Sequence, residues 1–181
     1  MLVRVIELLN KIRSLDEKIV IYINKNLKRK YLDYFFIATT YLGSDVFALG
    51  FLLAFAILPV SRIDDFSLYA AIALILTSMT VGILKNAIKR KRPFETIIEL
   101  DSLKIGIDQY SFPSGHTSAA FCIAVTCALV TSGNIVSMIY VLLAMLVALS
   151  RVYLGVHYPS DVISGAFIGS FFAILVNFVR R

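Results

Sequence analysis

The side chains of this sequence that can do chemistry are few, and they fall in three short stretches. Its two histidines are His116 and His157. His157 stands in Ser150-Arg151-Val152-Tyr153-Leu154-Gly155-Val156-His157-Tyr158-Pro159-Ser160-Asp161, a break between two long apolar runs. His116 closes Pro113-Ser114-Gly115-His116, and the third stretch, Lys85-Asn86-Ala87-Ile88-Lys89-Arg90-Lys91-Arg92-Pro93, is rich in cations. Hydrocarbon cannot solvate such groups, so each stretch must sit at a membrane edge or face a polar cavity.

These residue types suit phosphoryl transfer. Arginine grips two phosphate oxygens at once and lysine acts as a point charge, which fits Lys85, Arg92 and Arg151. A neutral imidazole at His157 can attack phosphorus to form a phosphohistidine. Asp161 can accept its other ring N–H and stabilise the charge that develops. Pro159 argues against continuous helix from His157 to Asp161, so the two are expected to meet across a helix entrance. Ser114 holds an N-cap position. Gly115 and His116 follow in the first helical turn, where unpaired N–H groups and the dipole favour an anion. His116 there can give a proton to a leaving oxygen. Because such transfer relies on positioning and charge stabilisation, the set needs no metal or other cofactor. Glu95, Glu99, Asp101 and Asp108 are spread through one loop and form no evident ligand set. Arg92, just before a proline, belongs beyond a helix end. Lys89, Arg90 and Lys91 read as solvated or facing lipid head groups.

The elements that position these stretches are membrane helices. The 181 residues are 59% hydrophobic with mean hydropathy +0.81, above the apolar share of about 45–50% usual in soluble domains. The excess comes in runs of roughly 17–20 residues, enough to cross about 30 Å of hydrocarbon. The sequence therefore predicts an all-α integral membrane protein and excludes a β-barrel, whose strands would show short alternating segments. Confident spans are expected near 45–60 (ending at Pro59), 66–84, 114–130, 135–149 and 162–179, with turns at Ser61-Arg62-Ile63-Asp64-Asp65 and Thr131-Ser132-Gly133-Asn134. Residues 1–43 read as an amphipathic, interfacial segment ahead of a transmembrane core over 44–181, all within one domain. Leu2, Val5, Ile6, Leu9 and Ile12 can share one helical face, and Asp16-Glu17 is expected to open a second amphipathic helix. Tyr31 to Leu42 reads as amphipathic or partly inserted, ended by Gly43-Ser44-Asp45. No cleavable signal peptide is evident, so the first span is expected to direct insertion.

Counting spans alternately across the membrane puts Lys85 and Arg92, then Pro113 to His116, then Arg151 and His157 on one side. One missed span between them would have separated them, so parity supports a single site. The opposite face carries Arg62, Arg180 and Arg181, which suits a cytoplasmic side and places the site on the extracytoplasmic face. The net charge of +6 suits anionic head groups or a phosphorylated substrate, with no nucleic acid implied. Cys122 and Cys127, five apart in an apolar run, make neither a disulfide framework nor a zinc site. Gly165 and Gly169 have the GxxxG spacing of close helix packing.

Lys85-x6-Arg92-Pro93, Pro113-Ser114-Gly115-His116 and Ser150-Arg151-x5-His157-x3-Asp161 together resemble the three-part signature of the type 2 phosphatidic acid phosphatase family. The resemblance covers residues 85–161 and every motif position. It implies a bundle of five to six transmembrane helices and a metal-independent phosphohydrolase, with His157 as nucleophile, Asp161 as its partner and His116 as the acid. Lys85, Arg92, Ser114, Gly115 and Arg151 would hold the phosphate. Soluble vanadium haloperoxidases share the signature, but the spanning segments argue against that branch. Integral members commonly have six spans, so either residues 31–42 extend into a span or the N-terminal part is interfacial. The implied substrate is a phosphorylated lipid of a bacterial inner membrane: undecaprenyl diphosphate, phosphatidylglycerol phosphate, phosphatidic acid or lipid A 1-phosphate. A non-catalytic lipid-binding or transport protein could use the same basic pocket, but would have no need of two histidines and an aspartate.

Overall fold

Helix α6 (Gly115–Val130) sits in the middle of the molecule and is buried on most of its circumference. Small and β-branched residues (Ala119, Ala120, Cys122, Ile123, Ala124) let neighbouring helices close in from several sides. Around it stand α4 (Phe66–Ile88), α7 (Asn134–Tyr153) and α8 (Pro159–Arg180), with α3 (Asp45–Ile57) on the outside against α4 and α6. The computed structural model describes residues 2–57, 66–131 and 133–180; among them there is no strand. The expected turn at Ser61 to Asp65, the span end at Pro59, and Ser132, Arg62 and Arg181 lie outside the described residues.

Three outer helices bury one stripe each, and each stripe ends on a polar residue of the motifs. In α4 it runs Ala70, Ala73, Leu74, Thr77, Val81, Lys85. In α7 it runs Ala144, Val147, Ala148, Arg151, and in α8 Asp161 heads Gly165, Gly169 and Ala173. These spacings of three and four are the repeat of one helical face. Helical register alone therefore turns Lys85, Arg151 and Asp161 inward at the same end of the bundle.

The GxxxG pair lies inside the monomer. A methyl group at Gly165 would come within 2.6 Å of the Ser114 carbonyl, and one at Gly169 would collide with the Ser118 carbonyl and approach the Cys122 nitrogen to 2.9 Å. Backbone thus packs on backbone along α6 and α8, and the Ser114 N–H donates to the Asp161 carbonyl at 3.0 Å. A wholly apolar cavity of about 160 Å³ lies between α3, α6 and α7. Both cysteines are free and buried.

The fold matches the expected all-helical membrane architecture, with differences in detail. α4, α7 and α8 are each long and apolar enough to cross a membrane. α6 has 16 residues, bounded by the Ser114 cap and the extended Thr131, about 24 Å at 1.5 Å per residue. α2 (Lys30–Thr40) runs through a 3₁₀ turn (Tyr41–Gly43) to Ser44 and then α3, with a 52° bend, and the pair together has the length and apolarity of one broken span. By length the described residues thus supply three crossings, or four with the bent pair, against the five to six expected. α7 continues to Tyr153 and α8 starts at Pro159, so both reach further toward the site than the expected 135–149 and 162–179.

At the N-terminus, α1 (Leu2–Leu27) is one continuous helix. Asp16-Glu17 does not open a second one, because Asp16 is buried within α1 at 3% exposure and finds its partners elsewhere in the molecule. Much of the apolar face remains uncovered (Val5, Ile6, Leu9 and Ile12 are exposed), as an interfacial helix requires. α2 packs on the end of α7, where Phe36 and Tyr153 have ring centroids 4.4 Å apart and the Tyr153 hydroxyl donates to Asp33 at 2.8 Å.

Replacing Gly169 tests the α6–α8 contact. Gly169→Ala should lower the Tm of the detergent-solubilised protein, with an overpacking cost of about 1–3 kcal/mol. Gly50→Ala, in the middle of α3 with nothing within 4 Å of the added methyl, should not lower it and should raise it slightly through helix propensity.

Candidate active site

At the end of the bundle where the three stripes finish, a cavity of about 370 Å³ opens. Lys85, Arg92, Gly115, His116 and His157 all line it, joined by Asp108 from the long loop. Three local features bring them there. α4 stops at Lys89, which takes a left-handed φ of 51°, so the chain leaves the helix axis and Arg92 adopts an extended conformation ahead of the short helix α5 (Pro93–Thr96). Ser114 caps α6, its hydroxyl accepting from the Thr117 N–H, and Gly115 and His116 form the first turn. His157 lies in the turn before Pro159, the first residue of α8.

His157 is 2% exposed and Asp161 fully buried. They meet across the start of α8: the Asp161 carboxylate accepts from the Tyr158 N–H at 2.9 Å, capping the helix that carries it. Nδ1 of His157 stands 3.6 Å from Asp161 Oδ2, beyond hydrogen-bond length. Ser111 fills the gap, donating to Asp161 Oδ2 with its oxygen 3.4 Å from Nδ1. On the other side of the ring, the Arg92 guanidinium is 3.2 Å from Nε2. A guanidinium only donates, so Nε2 carries the lone pair and Nδ1 the proton. The ring thus points its basic nitrogen at the cations and its N–H at Ser111 and Asp161. Burial, opposed by the hydrogen-bonding pull of Asp161 and aided by the Arg151 and Arg92 charges, pushes the pKa of His157 from 6.5 down to about 3. The imidazole is neutral at pH 7.

The cations are held by a loop. Asp108 bridges Lys85 (2.9 Å) and Arg92 (2.6 Å) through a single carboxylate oxygen. Burial works against its charge, but Lys85 and Arg92 outweigh that and keep its carboxyl below the usual carboxylate range. The Tyr110 carbonyl accepts from both cations. Arg151, fully buried, donates to Thr40 Oγ1 (2.8 Å) and to the carbonyls of Ile105 (3.0 Å) and Gly106 (2.8 Å), while its Nε has no partner among the described residues. Gly106 has φ +56°, and a methyl there would come within 2.6 Å of His116 Nε2. The loop therefore presents oxygen to Lys85, Arg92 and Arg151, and closes on His116.

Of the residues singled out from sequence, Lys85, Arg92, Gly115, His116 and His157 meet at the cavity wall. Asp161 and Arg151 lie behind it, and the Ser114 side chain is engaged within its own helix turn. Arg90 is not a solvated cation: it is held by Asp161 at 2.6 Å and Asp16 at 2.8 Å, because α1 covers it. Sequence reasoning also missed Ser111 and the bridging role of Asp108. The one signal for Ser111 was its place two residues before Pro113. Among the described residues, no three His, Cys, Asp or Glu side chains converge as a metal-ligand set.

Comparison with known proteins identifies the family. Over 104 residues the chain is 35% identical to an undecaprenyl-diphosphatase of Sulfolobus acidocaldarius, an overlap of 58% of this chain and 50% of that protein. It spans about half the length of the curated relatives it matches. The crystal structure of a transmembrane PAP2-type phosphatidylglycerolphosphate phosphatase from Bacillus subtilis superposes with a TM-score of 0.83 at 27% identity, covering 94% of this chain and 87% of that one. Aquifex aeolicus LpxE superposes with a TM-score of 0.75 at 30% identity, covering 90% and 94%. The family model described as the PAP2 superfamily matches residues 66–180. That range holds all three polar stretches and the helices whose stripes end on them, and the chain belongs to the PAP2 superfamily.

Proposed function

We propose that this chain is a metal-independent lipid phosphatase that removes a terminal phosphate from a membrane lipid through a phosphohistidine. The observation that carries the reading is the neutral His157 ring, its Nε2 lone pair turned to Arg92 and its N–H to Ser111 and Asp161. On binding, the phosphoryl oxygens take the place of the Asp108 carboxylate at Lys85 and Arg92. The Ile105–Gly106 backbone moves aside to give Arg151 its share. The Arg92 N–H passes from the ring nitrogen to phosphate, freeing the lone pair.

His157 Nε2 then attacks phosphorus while the bond to the lipid oxygen breaks, and His116 protonates that oxygen as it leaves. A bound phosphate dianion favours the protonated His116 that this step needs. Asp161, through Ser111, stabilises the charge gained by the phosphorylated ring. In the second half, His116 takes a proton from water, the water oxygen attacks phosphorus, and the N–P bond breaks to release inorganic phosphate.

The substrate class is a lipid whose phosphate reaches the bilayer surface: undecaprenyl diphosphate, phosphatidylglycerol phosphate, phosphatidic acid or lipid A 1-phosphate. Relatives named undecaprenyl-diphosphatase, phosphatidylglycerophosphatase and lipid A 4'-phosphatase support a phosphorylated membrane lipid as the substrate class. Residues 44–181 form the catalytic core and 1–43 the interfacial segment of one phosphatase domain. The protein resides in the bacterial inner membrane with its site on the extracytoplasmic face. Arg180, at the far end of α8 from Asp161, suits a cytoplasmic position there.

A phosphate-release panel of these four lipids, in detergent micelles with excess chelator, tests the reading. The wild type should release phosphate from at least one, and His157→Gln should lower the rate by about 10³-fold or more. Undiminished release by that variant would remove the nucleophile assignment. Loss on chelation, restored by Mg²⁺, would remove the metal-free mechanism. A wild type that binds the lipids and releases no phosphate would favour the non-catalytic alternative.

The depressed pKa of His157 sets a sign. Its nucleophilic neutral form persists as pH falls through 6.5, and protonation overtakes it only near a pH of about 3. The profile of kcat/KM, corrected for the second ionisation of the substrate phosphate, should show no fall from protonation of His157 between pH 7 and 5. Over the window between the two pKa values the unfolded chain binds a proton that the native site does not, so the contribution of this group to stability falls as pH falls. Asp108→Asn removes the carboxylate that competes for Lys85 and Arg92. Inorganic phosphate and orthovanadate should then inhibit at roughly tenfold lower concentration, the size of one charge-assisted hydrogen bond. Unchanged inhibition constants would show that Asp108 does not compete.

A further inference from the structure

Arg90 occupies one of the six unspecified positions between Lys85 and Arg92, and Asp16 lies outside all three motifs, yet both are wired to the residue behind His157. The Arg90 guanidinium lies over the Tyr158 ring, 4.0 Å from its centroid. One terminal nitrogen donates to Asp161 Oδ1 at 2.6 Å and to Ser160 Oγ at 2.7 Å, and the other to Asp16 Oδ2 at 2.8 Å. Asp16, on α1, also accepts from the Ser160 N–H at 2.9 Å and from the Ser160 hydroxyl. One guanidinium thus joins two buried carboxylates, one from the N-terminal helix and one from the start of α8.

The division of labour on Asp161 makes this matter. Oδ2 serves Ser111 and the Tyr158 N–H, whereas the side-chain partner of Oδ1 is Arg90. A carboxylate at 0% exposure with one oxygen unpaired would carry a large desolvation penalty. It would turn or shift to relieve that penalty, moving the oxygen that faces Ser111 and the His157 ring. Neither Arg90 nor Asp16 lines the cavity, so they act on the reaction through Asp161.

We propose that Arg90 and Asp16 are positioning residues for the nucleophile, which makes α1 a working part of the active site as well as an attachment to the membrane surface. The proposal rests on the reading of Asp161 as the partner of His157. Asp16 holds Arg90, Arg90 holds Asp161, and Asp161 holds the ring; when α1 is displaced, turnover falls while substrate phosphate still finds Lys85 and Arg92.

The test is steady-state kinetics on the full-length protein, with the panel lipid that the wild type hydrolyses fastest. Arg90→Gln should lower kcat by roughly 10–100-fold, the range seen when an outer partner of a reactive group is removed. KM should stay within about threefold, because no phosphate contact is lost. Asp16→Asn should lower kcat in the same sense and by less. Added to Arg90→Gln it should cost nothing more, since the two act in series. Arg90→Lys, which keeps a charge for Asp161 but cannot span both carboxylates, should restore part of kcat. Lys25→Gln, which breaks an exposed pair between α1 and Glu99, should match wild type. If Arg90→Gln does not fold, Asp16→Asn and Arg90→Lys carry the same comparison. An active wild type whose folded Arg90 and Asp16 variants keep their kcat, or lose only KM, overturns this proposal and leaves the phosphatase reading standing. Additive losses in the double variant also overturn it. A wild type inactive on all four lipids overturns both.

Discussion

The contact between the backbones of α6 and α8 is the constraint on which the site depends. One helix carries His116, the other Asp161, and His157 lies two residues before the start of the second. Ordinary side chains between them would hold helix axes about 8–10 Å apart. Gly165 and Gly169 remove that spacer and let α8 lie against the carbonyls of Ser114 and Ser118. The Ser114 N–H can then reach the Asp161 carbonyl, locking the entrance of one helix to the entrance of the other. The glycines look like an oligomerisation motif in isolation; in the fold they set the distance between the elements that bear the reactive groups.

The second constraint is electrostatic. Lys85, Arg92 and Arg151 are nearly or wholly buried, and gathering like charges away from water is costly unless each donor is met. The loop meets them with carbonyls of Ile105, Gly106, Asp108 and Tyr110 and with one carboxylate. That arrangement presents several oxygens to clustered cations, which is also what a phosphate would do. Under the proposed phosphatase reading, the loop residues that meet these cations would compete with substrate phosphate for them.

Much of this was legible in the chain. Apolar runs announced the helices, whereas the buried stripe from Ala70 through Thr77 and Val81 to Lys85 is seen only in the fold. Parity brought three separated stretches to one end, and Pro159 forecast that His157 and Asp161 would meet at a helix start. What escaped had no local signature. Arg90 sits among Lys89 and Lys91, and nothing in those neighbours distinguishes a cation pinned between two carboxylates from one in solvent. Asp16 looked like a helix opener because its partners are 74 and more residues away. Asp108 was one of four loop carboxylates, and only the folded loop selects it. The extent of α6, Gly115–Val130, falls within one residue of the expected 114–130.

The buried stripes have a consequence for how such a chain can diverge. Lys85, Arg151 and Asp161 each stand at the terminal position of a face that is otherwise filled by helix packing. Inserting or deleting one residue within α4, α7 or α8 would rotate everything beyond it by about 100°, turning the functional side chain toward lipid or the wrong neighbour. Sequence drift in these helices is therefore confined to exchanging side chains at fixed length. Changes of length belong in connections other than Ile105 to Ser111, whose groups meet Lys85, Arg92, Arg151 and Asp161. The molecule measures position along its helices by counting residues, and only the loops that stay clear of the site are free of that count.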